Sequence, residues 1–264
     1  MEQPEIIDGT HIVRTGSGPT LVLVHGVGLD HTMWNLVVDE LSEHRTVVRY
    51  DLLGHGKSAN PSGPRSVGDF VGQLLQVVDA VSDGSPVDIA GLSLGGLIVR
   101  SAAVSAAGAD FRSVSILNAV YARPEHEKDR TRHRLALTEA EGMGAVADLA
   151  IDRWFTKDWQ AAHGDRAEAV KSTLLANDLD GYLKAYRVFI DGDPHGEEHL
   201  HSIQCRALVQ TGEFDVGSTP AMTHDMAKAI PGATAQILHN LRHLPPIEDP
   251  ERFTLALLSF LEDS

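Results

Sequence analysis

Apolar residues come along this chain in two rhythms, and their alternation predicts the fold. Thr20-Leu21-Val22-Leu23-Val24 is a continuous apolar run of strand length, the mark of a strand covered on both faces. Arg45–Tyr50, Pro86–Ala90, Phe111–Leu117, Arg206–Gln210 and Ala233–Leu238 read as further short strands. Between them, Trp34–Leu41, Val67–Val81, the stretch from Gly96 to Ala103, Pro220–Ile230 and Pro250–Leu261 read as helices. The last of these lines up Phe253, Leu257, Leu258 and Leu261 as a buried side. Ile6 to Thr15 has mixed strand character and runs into a turn at Gly16-Ser17-Gly18-Pro19. Alternating strands and helices predict an α/β fold with a mainly parallel, doubly wound sheet.

From Tyr121 to about Ser202 the rhythm changes. Helical segments are expected around Ala136–Leu137, Gly144–Phe155, Arg166–Ala176 and Gly181–Ile190, with no convincing strand between them. The stretch also carries Trp154, Phe155, Trp159, Tyr182, Tyr186 and Phe189. The expected organisation is a core built from residues 1–120 and 203–264, with residues 121–202 inserted as a helical cap over a cleft.

Sites in open α/β sheets lie beyond the carboxyl ends of the strands. His25, Asp51 and Ser93 each fall at such an end. Ser93 is the centre of Gly91-Leu92-Ser93-Leu94-Gly95, a G-x-S-x-G run between a strand and a helix. A serine on that sharp turn is forced into a strained conformation that presents its Oγ to the cleft. A hydroxyl is a weak nucleophile and needs a base oriented by a third group. In this architecture the acid and then the base follow the serine along the chain. Asp215, just past a strand end, is the expected acid, ahead of Glu213, which sits closer to the strand. His243, in the loop after the last strand, is the expected base, ahead of His239. The N–H of Leu94, at a helix N-terminus, and that of Val27, after the first long strand, are the expected oxyanion donors. His25 reads first as a residue bonding its own loop, and stands also as a substrate-side candidate.

Composition narrows the class of protein. A chain of 264 residues with 42% hydrophobic content can bury one sizeable core. A net charge of −15 speaks against nucleic acid or an anionic membrane as partner. The polar start Met1-Glu2-Gln3-Pro4-Glu5 is unlike a signal peptide, and no apolar run approaches the roughly 20 residues of a membrane span. A cytoplasmic protein with a small-molecule partner, free to form a homo-oligomer, is expected. Cys205 is the only cysteine, read as a buried small hydrophobe. His195, His199 and His201 near Glu197 and Glu198 are irregularly spaced for a metal, and Gly54-x-Gly56 lacks the rest of a dinucleotide fingerprint. No metal and no cofactor are expected. Arg130, Arg132, His133 and Arg134, offset by Glu125, Glu127 and Asp129, read as a solvated helix face.

Taken in order, His25-Gly26-Val27-Gly28, Tyr50-Asp51-Leu52-Leu53-Gly54-His55-Gly56-Lys57-Ser58, Gly91–Gly96, Gly212-Glu213-Phe214-Asp215 and Arg242-His243-Leu244-Pro245-Pro246 resemble the α/β-hydrolase superfamily over nearly the full chain. Within it, Arg153-Trp154-Phe155-Thr156, Asp180–Tyr186 and Asp191 resemble the 3-oxoadipate enol-lactonases and neighbouring carboxylesterases. The resemblance implies a lid over a small acidic or lactone substrate, with Trp154 as a pocket wall and Arg153 as a carboxylate partner. It also implies an enzyme: a serine hydrolase of a small ester or lactone, working through an acyl-enzyme. Serine at position 93 is unlike the dehalogenase and epoxide hydrolase branches, which carry aspartate there, and Leu244 is unlike the carbon–carbon bond hydrolases. Two other readings use the same fold: a ligand receptor with little turnover, and a cofactor-free oxygenase or perhydrolase.

Overall fold

A computed structural model describes residues 2–105, 111–192 and 194–262. Eight strands form one sheet in the order β1-β2-β4-β3-β5-β6-β7-β8. They are β1 (Gln3–Ile7), β2 (Thr10–Gly16), β3 (Thr20–Val24), β4 (Thr46–Tyr50), β5 (Val87–Leu92), β6 (Phe111–Leu117), β7 (Arg206–Gly212) and β8 (Thr234–Leu238). From β4 to β8 along that order every pairing is parallel. β1 and β2 are antiparallel and form one edge. The stretch Ile6–Thr15, expected as a single region of strand character, contains a hairpin turn at Asp8 and Gly9, with φ of 46° and 80°. An Asp-Gly pair supplies those left-handed angles at little cost, and apolar patterning does not register so short a turn.

The helices flanking this sheet are α1 (Asn35–Ser42), α2 (Val67–Val81), α3 (Leu94–Val104), α9 (Pro220–Ala229) and α11 (Pro250–Glu262). Their boundaries follow local chemistry. Ser66 caps α2 in a capping box with Asp69, and Thr219 caps α9, which has Pro220 in its first turn. The apolar run of β3 is buried, as is all of β5, because helices cover both faces of the sheet centre. Trp34 lies 6.1 Å from Phe253 between ring centroids, joining the start of the chain to its last helix.

Between β6 and β7 the described residues form helices and no strand: α4 (Glu125–Glu141), α5 (Gly144–Trp154), α6 (Lys157–Ala162), α7 (Gly164–Leu175) and α8 (Leu179–Asp191). α4 is much longer than its few apolar residues suggest, and α6 carries no fully buried residue to announce it. The inward face of α4 is polar, through Thr131 and Thr138. Hydrogen bonds tie this helical stretch to the sheet loops: Asn177 Nδ2 donates to the Gly28 carbonyl at 2.8 Å, and Trp159 Nε1 to the Glu248 carbonyl at 3.0 Å. Among the described residues no helix is long and apolar enough to cross a membrane.

Candidate active site

The turn from β5 into α3 carries Ser93 at φ 59° and ψ −113°. For a residue with a Cβ this conformation costs on the order of 1–3 kcal/mol. It is held by Ser93 N–H, which donates to the Leu117 carbonyl at 2.9 Å, and by the Ser93 carbonyl, which accepts from Leu97 N–H at 3.1 Å. The flanking glycines are sterically required. A Cβ on Gly91 would overlap the Gly95 carbonyl, and one on Gly95 would overlap the Val24 carbonyl of β3. We expect Gly95→Ala to lose the folded state or to lower Tm by several degrees, since neither backbone can retreat. A melt matching the wild type would contradict this packing.

Asp215 and His243 sit beyond β7 and β8 and meet there. His243 Nδ1–H donates to Asp215 Oδ2 at 2.7 Å. An ionised carboxylate only accepts, so in the neutral ring the proton lies on Nδ1 and the lone pair on Nε2. Asp215 is 4% exposed and richly bonded. Its Oδ1 accepts from Gly217 and Ser218 N–H at 2.9 and 3.0 Å, and its Oδ2 from Asn118 Nδ2 at 2.9 Å. Burial alone would raise its pKa, but His243, Asn118 and Ser218 together hold it below the ordinary carboxylate value. The rival residues lie apart. Glu213 and His239 pair with each other at 3.4 Å, and His239 is exposed.

Ser93 and His243 line one cavity of about 600 Å³, counted to its open mouth. Val27, Trp154 and Arg153 line it too. Gly26 brings the loop after β3 against the serine: a Cβ there would lie 3.2 Å from Ser93 Cβ. Leu94 opens α3, so its N–H belongs to the first-turn donors that have no carbonyl within the helix. Trp154 is stacked on His243, centroids 6.4 Å apart and planes 18° from parallel. Its carbonyl accepts the His243 N–H at 3.1 Å.

His25 does not reach the cavity. It is fully buried, its Nε2 accepts from Leu52 N–H at 2.8 Å, and its Nδ1 bonds the Gly26 carbonyl at 2.8 Å. With both ring nitrogens on backbone, it has none left for a ligand, and the geometry favours the loop-bonding reading over substrate contact. His55 works alike, accepting from Gly28 N–H at 3.0 Å. Burial, with the neighbouring His25, pushes its pKa down to about 3 and keeps it neutral.

The basic cluster on α4 needs correction. Arg130 and Arg132 are solvated and pair with Glu127, Glu125 and Asp129, as expected. Arg134 instead turns inward and lines the cavity. It lies on the polar face of α4, three residues after Thr131 and four before Thr138, and its Nε donates to Tyr186 Oη at 3.0 Å. A search for apolar periodicity passes over such a face. Arg153 approaches from α5. Burial and the nearby Arg134 charge lower its pKa. Among the described residues no Asp or Glu lines the cavity. Asn118 is the other residue missed by sequence reasoning. It follows β6 directly at φ 46°, and its place at a carboxyl strand end was the available signal.

Among the described residues the one cluster with metal-capable spacing is His11, His31 and Asp51, not the histidines of 195–201. Its carboxylate is already occupied by protein donors: His31 N–H and Nδ1 on Oδ1, Lys57 N–H and His11 Nδ1 on Oδ2. That donor set braces the loop after β4.

Residues 21–256 match the model of the alpha/beta hydrolase family. The chain is 32% identical, over 96% of its length and 94% of the relative's, to (E)-2-((N-methylformamido)methylene)succinate hydrolase of Acinetobacter baylyi. It is 27% identical to 3-oxoadipate enol-lactonase 1 of the same organism, covering 93% of this chain and 90% of that one. The crystal structure of the enol-lactonase from Burkholderia xenovorans LB400 superposes with a TM-score of 0.83 at 29% identity, covering 98% of this chain and 99% of that one.

Proposed function

The chain belongs to the alpha/beta hydrolase family, and we propose that within it this protein is a serine hydrolase of a small ester or lactone bearing carboxylate groups. Ser93 attacks the acyl carbonyl while His243 Nε2 takes its proton. The Val27 and Leu94 N–H groups hold the oxyanion, and the tetrahedral intermediate collapses to an acyl-enzyme as His243 protonates the leaving oxygen. His243 then takes a proton from water, which attacks the acyl carbon and frees the serine. Asp215 keeps the ring in the required tautomer and stabilises its cation. Residues 121–202 act as the cap that closes over the substrate.

The observation that carries the substrate class is the pair Arg134 and Arg153 in a cavity lined by Ser93 and His243 and, among the described residues, by no acidic one. Both arginines are half-buried, and two neighbouring cations at a cavity wall attract an anionic ligand. A guanidinium binds a carboxylate through two parallel hydrogen bonds, and two of them suit a dicarboxylate acyl compound. The names of the relatives agree: one acts on a substituted succinate, another on the enol-lactone of 3-oxoadipate.

A panel of neutral, monocarboxylate and dicarboxylate esters and lactones tests this reading. The kcat/KM for dicarboxylates should exceed that for neutral esters of equal leaving group. Replacing Arg153 by methionine should shrink that ratio about 10–100-fold, the worth of a charged hydrogen-bond pair. An unchanged ratio in both Arg153→Met and Arg134→Met would remove the carboxylate from the proposal and leave a plain esterase.

A further inference from the structure

We propose that Glu248 is a positioning residue whose ionised carboxylate fixes the backbone on either side of His243. This inference rests on the hydrolase reading, in which His243 is the base. Glu248 is the last residue of α10 (Pro245–Glu248), a single turn that folds straight back onto the His243 loop. Both of its carboxylate oxygens accept from Arg242 N–H at 2.9 Å, and Oε1 also accepts from Leu244 N–H at 3.1 Å. His243 N–H, between them, donates to the Trp154 carbonyl. Three successive amides are thus held, the outer two by one side chain. The imidazole that must lie between Asp215 and Ser93 hangs from the middle one.

Glu248 is 6% exposed, and its carboxylate has no Lys or Arg side chain paired to it among the described residues. The Arg242 guanidinium turns away, donating to the Asp152 and Phe155 carbonyls. Arg166, on α7, bonds the Ile247 carbonyl, and Arg252, at the start of α11, bonds the His239 carbonyl and pairs with Asp249. The charges that bear on Glu248 are therefore chiefly Asp215, which opposes its anion, and Arg242, which favours it. Burial outweighs the two amide hydrogen bonds and pushes the carboxyl up to about 7. Its ordinary value is 4.5, so folding takes up a proton between those limits, and stability falls as pH rises through that window. The fold tolerates the acid, whereas the loop geometry needs the anion. A carboxyl protonated on Oε2 turns its O–H against Arg242 N–H, leaves Oε1 alone to accept from both amides, and removes the charge that strengthens those two bonds.

This makes the activity depend on the proton of Glu248 in addition to whatever the reaction itself requires. We expect log kcat/KM for p-nitrophenyl acetate to fall more steeply below pH 7 in the wild type than in Glu248→Gln. Glu248→Gln should lose that extra steepness, with kcat reduced about 10–100-fold, the effect of an approximately 1 Å misplacement of a reacting group. Glu248→Asp, which keeps the charge, should recover the steeper limb and part of kcat. Wild-type slope and kcat in Glu248→Gln would overturn the proposal. A second measurement needs no turnover. In Ser93→Ala, the amide resonances of Arg242 and Leu244 should share one titration near pH 7, absent when Glu248→Gln is added. No such titration in a folded protein also overturns it, even if Glu248→Gln alone fails to fold. Wild-type turnover that survives Ser93→Ala would instead defeat the serine-nucleophile reading, leaving the amide titration to decide on Glu248.

Discussion

Replacing Ser93 by alanine is expected to abolish ester hydrolysis, with kcat falling on the order of 10⁴ to 10⁶-fold while the thermal melt stays close to wild type. The size follows from losing the nucleophile of a unit that works only together, leaving the oxyanion donors and binding to supply the residual rate. The melt is expected to hold because Ser93 Oγ carries no hydrogen bond that the sheet depends on. Its backbone bonds to Leu117 and Leu97 survive the substitution. Alanine also tolerates positive φ no worse than serine does. Single-turnover measurement with a p-nitrophenyl ester is the check. A loss under tenfold would mean that water, activated by His243, attacks directly, and that no acyl-enzyme forms.

Asp215→Asn is expected to cost about 10⁴-fold in kcat with little change in KM. The carboxylate accepts from Nδ1 of His243, Nδ2 of Asn118 and the N–H groups of Gly217 and Ser218, with Thr211 Oγ1 at 3.4 Å. An amide at this position offers one acceptor and two donors. If its oxygen stays on Gly217 and Ser218, its NH₂ points at His243 Nδ1. That contact is satisfied only by moving the imidazole proton to Nε2, where it can no longer take one from Ser93. The result expected is a folded protein with an intact cavity, and the readouts are kcat from the ester assay and affinity for a non-hydrolysable dicarboxylate. Activity within tenfold of wild type would show that the Asp215–His243 bond, short as it is, does not set the tautomer used in the reaction.

Both predictions concern residues recognisable from sequence, and the reason is physical. Ser93 announces itself through glycines that its turn cannot do without: Gly91 and Gly95 have no room for a Cβ. Asp215 and His243 announce themselves by falling just beyond strands whose apolar runs are short and continuous. The helical stretch between β6 and β7 was equally visible as a loss of strands. What it presents to the cavity was not. Trp154 and Arg153 were reached through a resemblance, and Arg134 was read as solvated because its neighbours on α4 are. A charged helix can direct one arginine inward when that face is lined by Thr131 and Thr138, and no apolar period marks it.

The chain by itself therefore determined the parallel part of the sheet, the helices that flank it and the positions where chemistry can sit, because these follow from residue size, backbone freedom and periodicity within short windows; the β1–β2 hairpin and α6 carried no such pattern. Tertiary structure alone decided which polar groups meet. It placed Asn118 on Asp215, put Arg134 beside Arg153, closed both nitrogens of His25 onto backbone, and folded Glu248 onto the amides flanking His243. The Asn118–Asp215 bond joins residues 97 positions apart and the His25–Leu52 bond 27, and even the short Glu248 contacts depend on how the loop folds back. Their energy depends on distances of a few tenths of an ångström that no local pattern encodes.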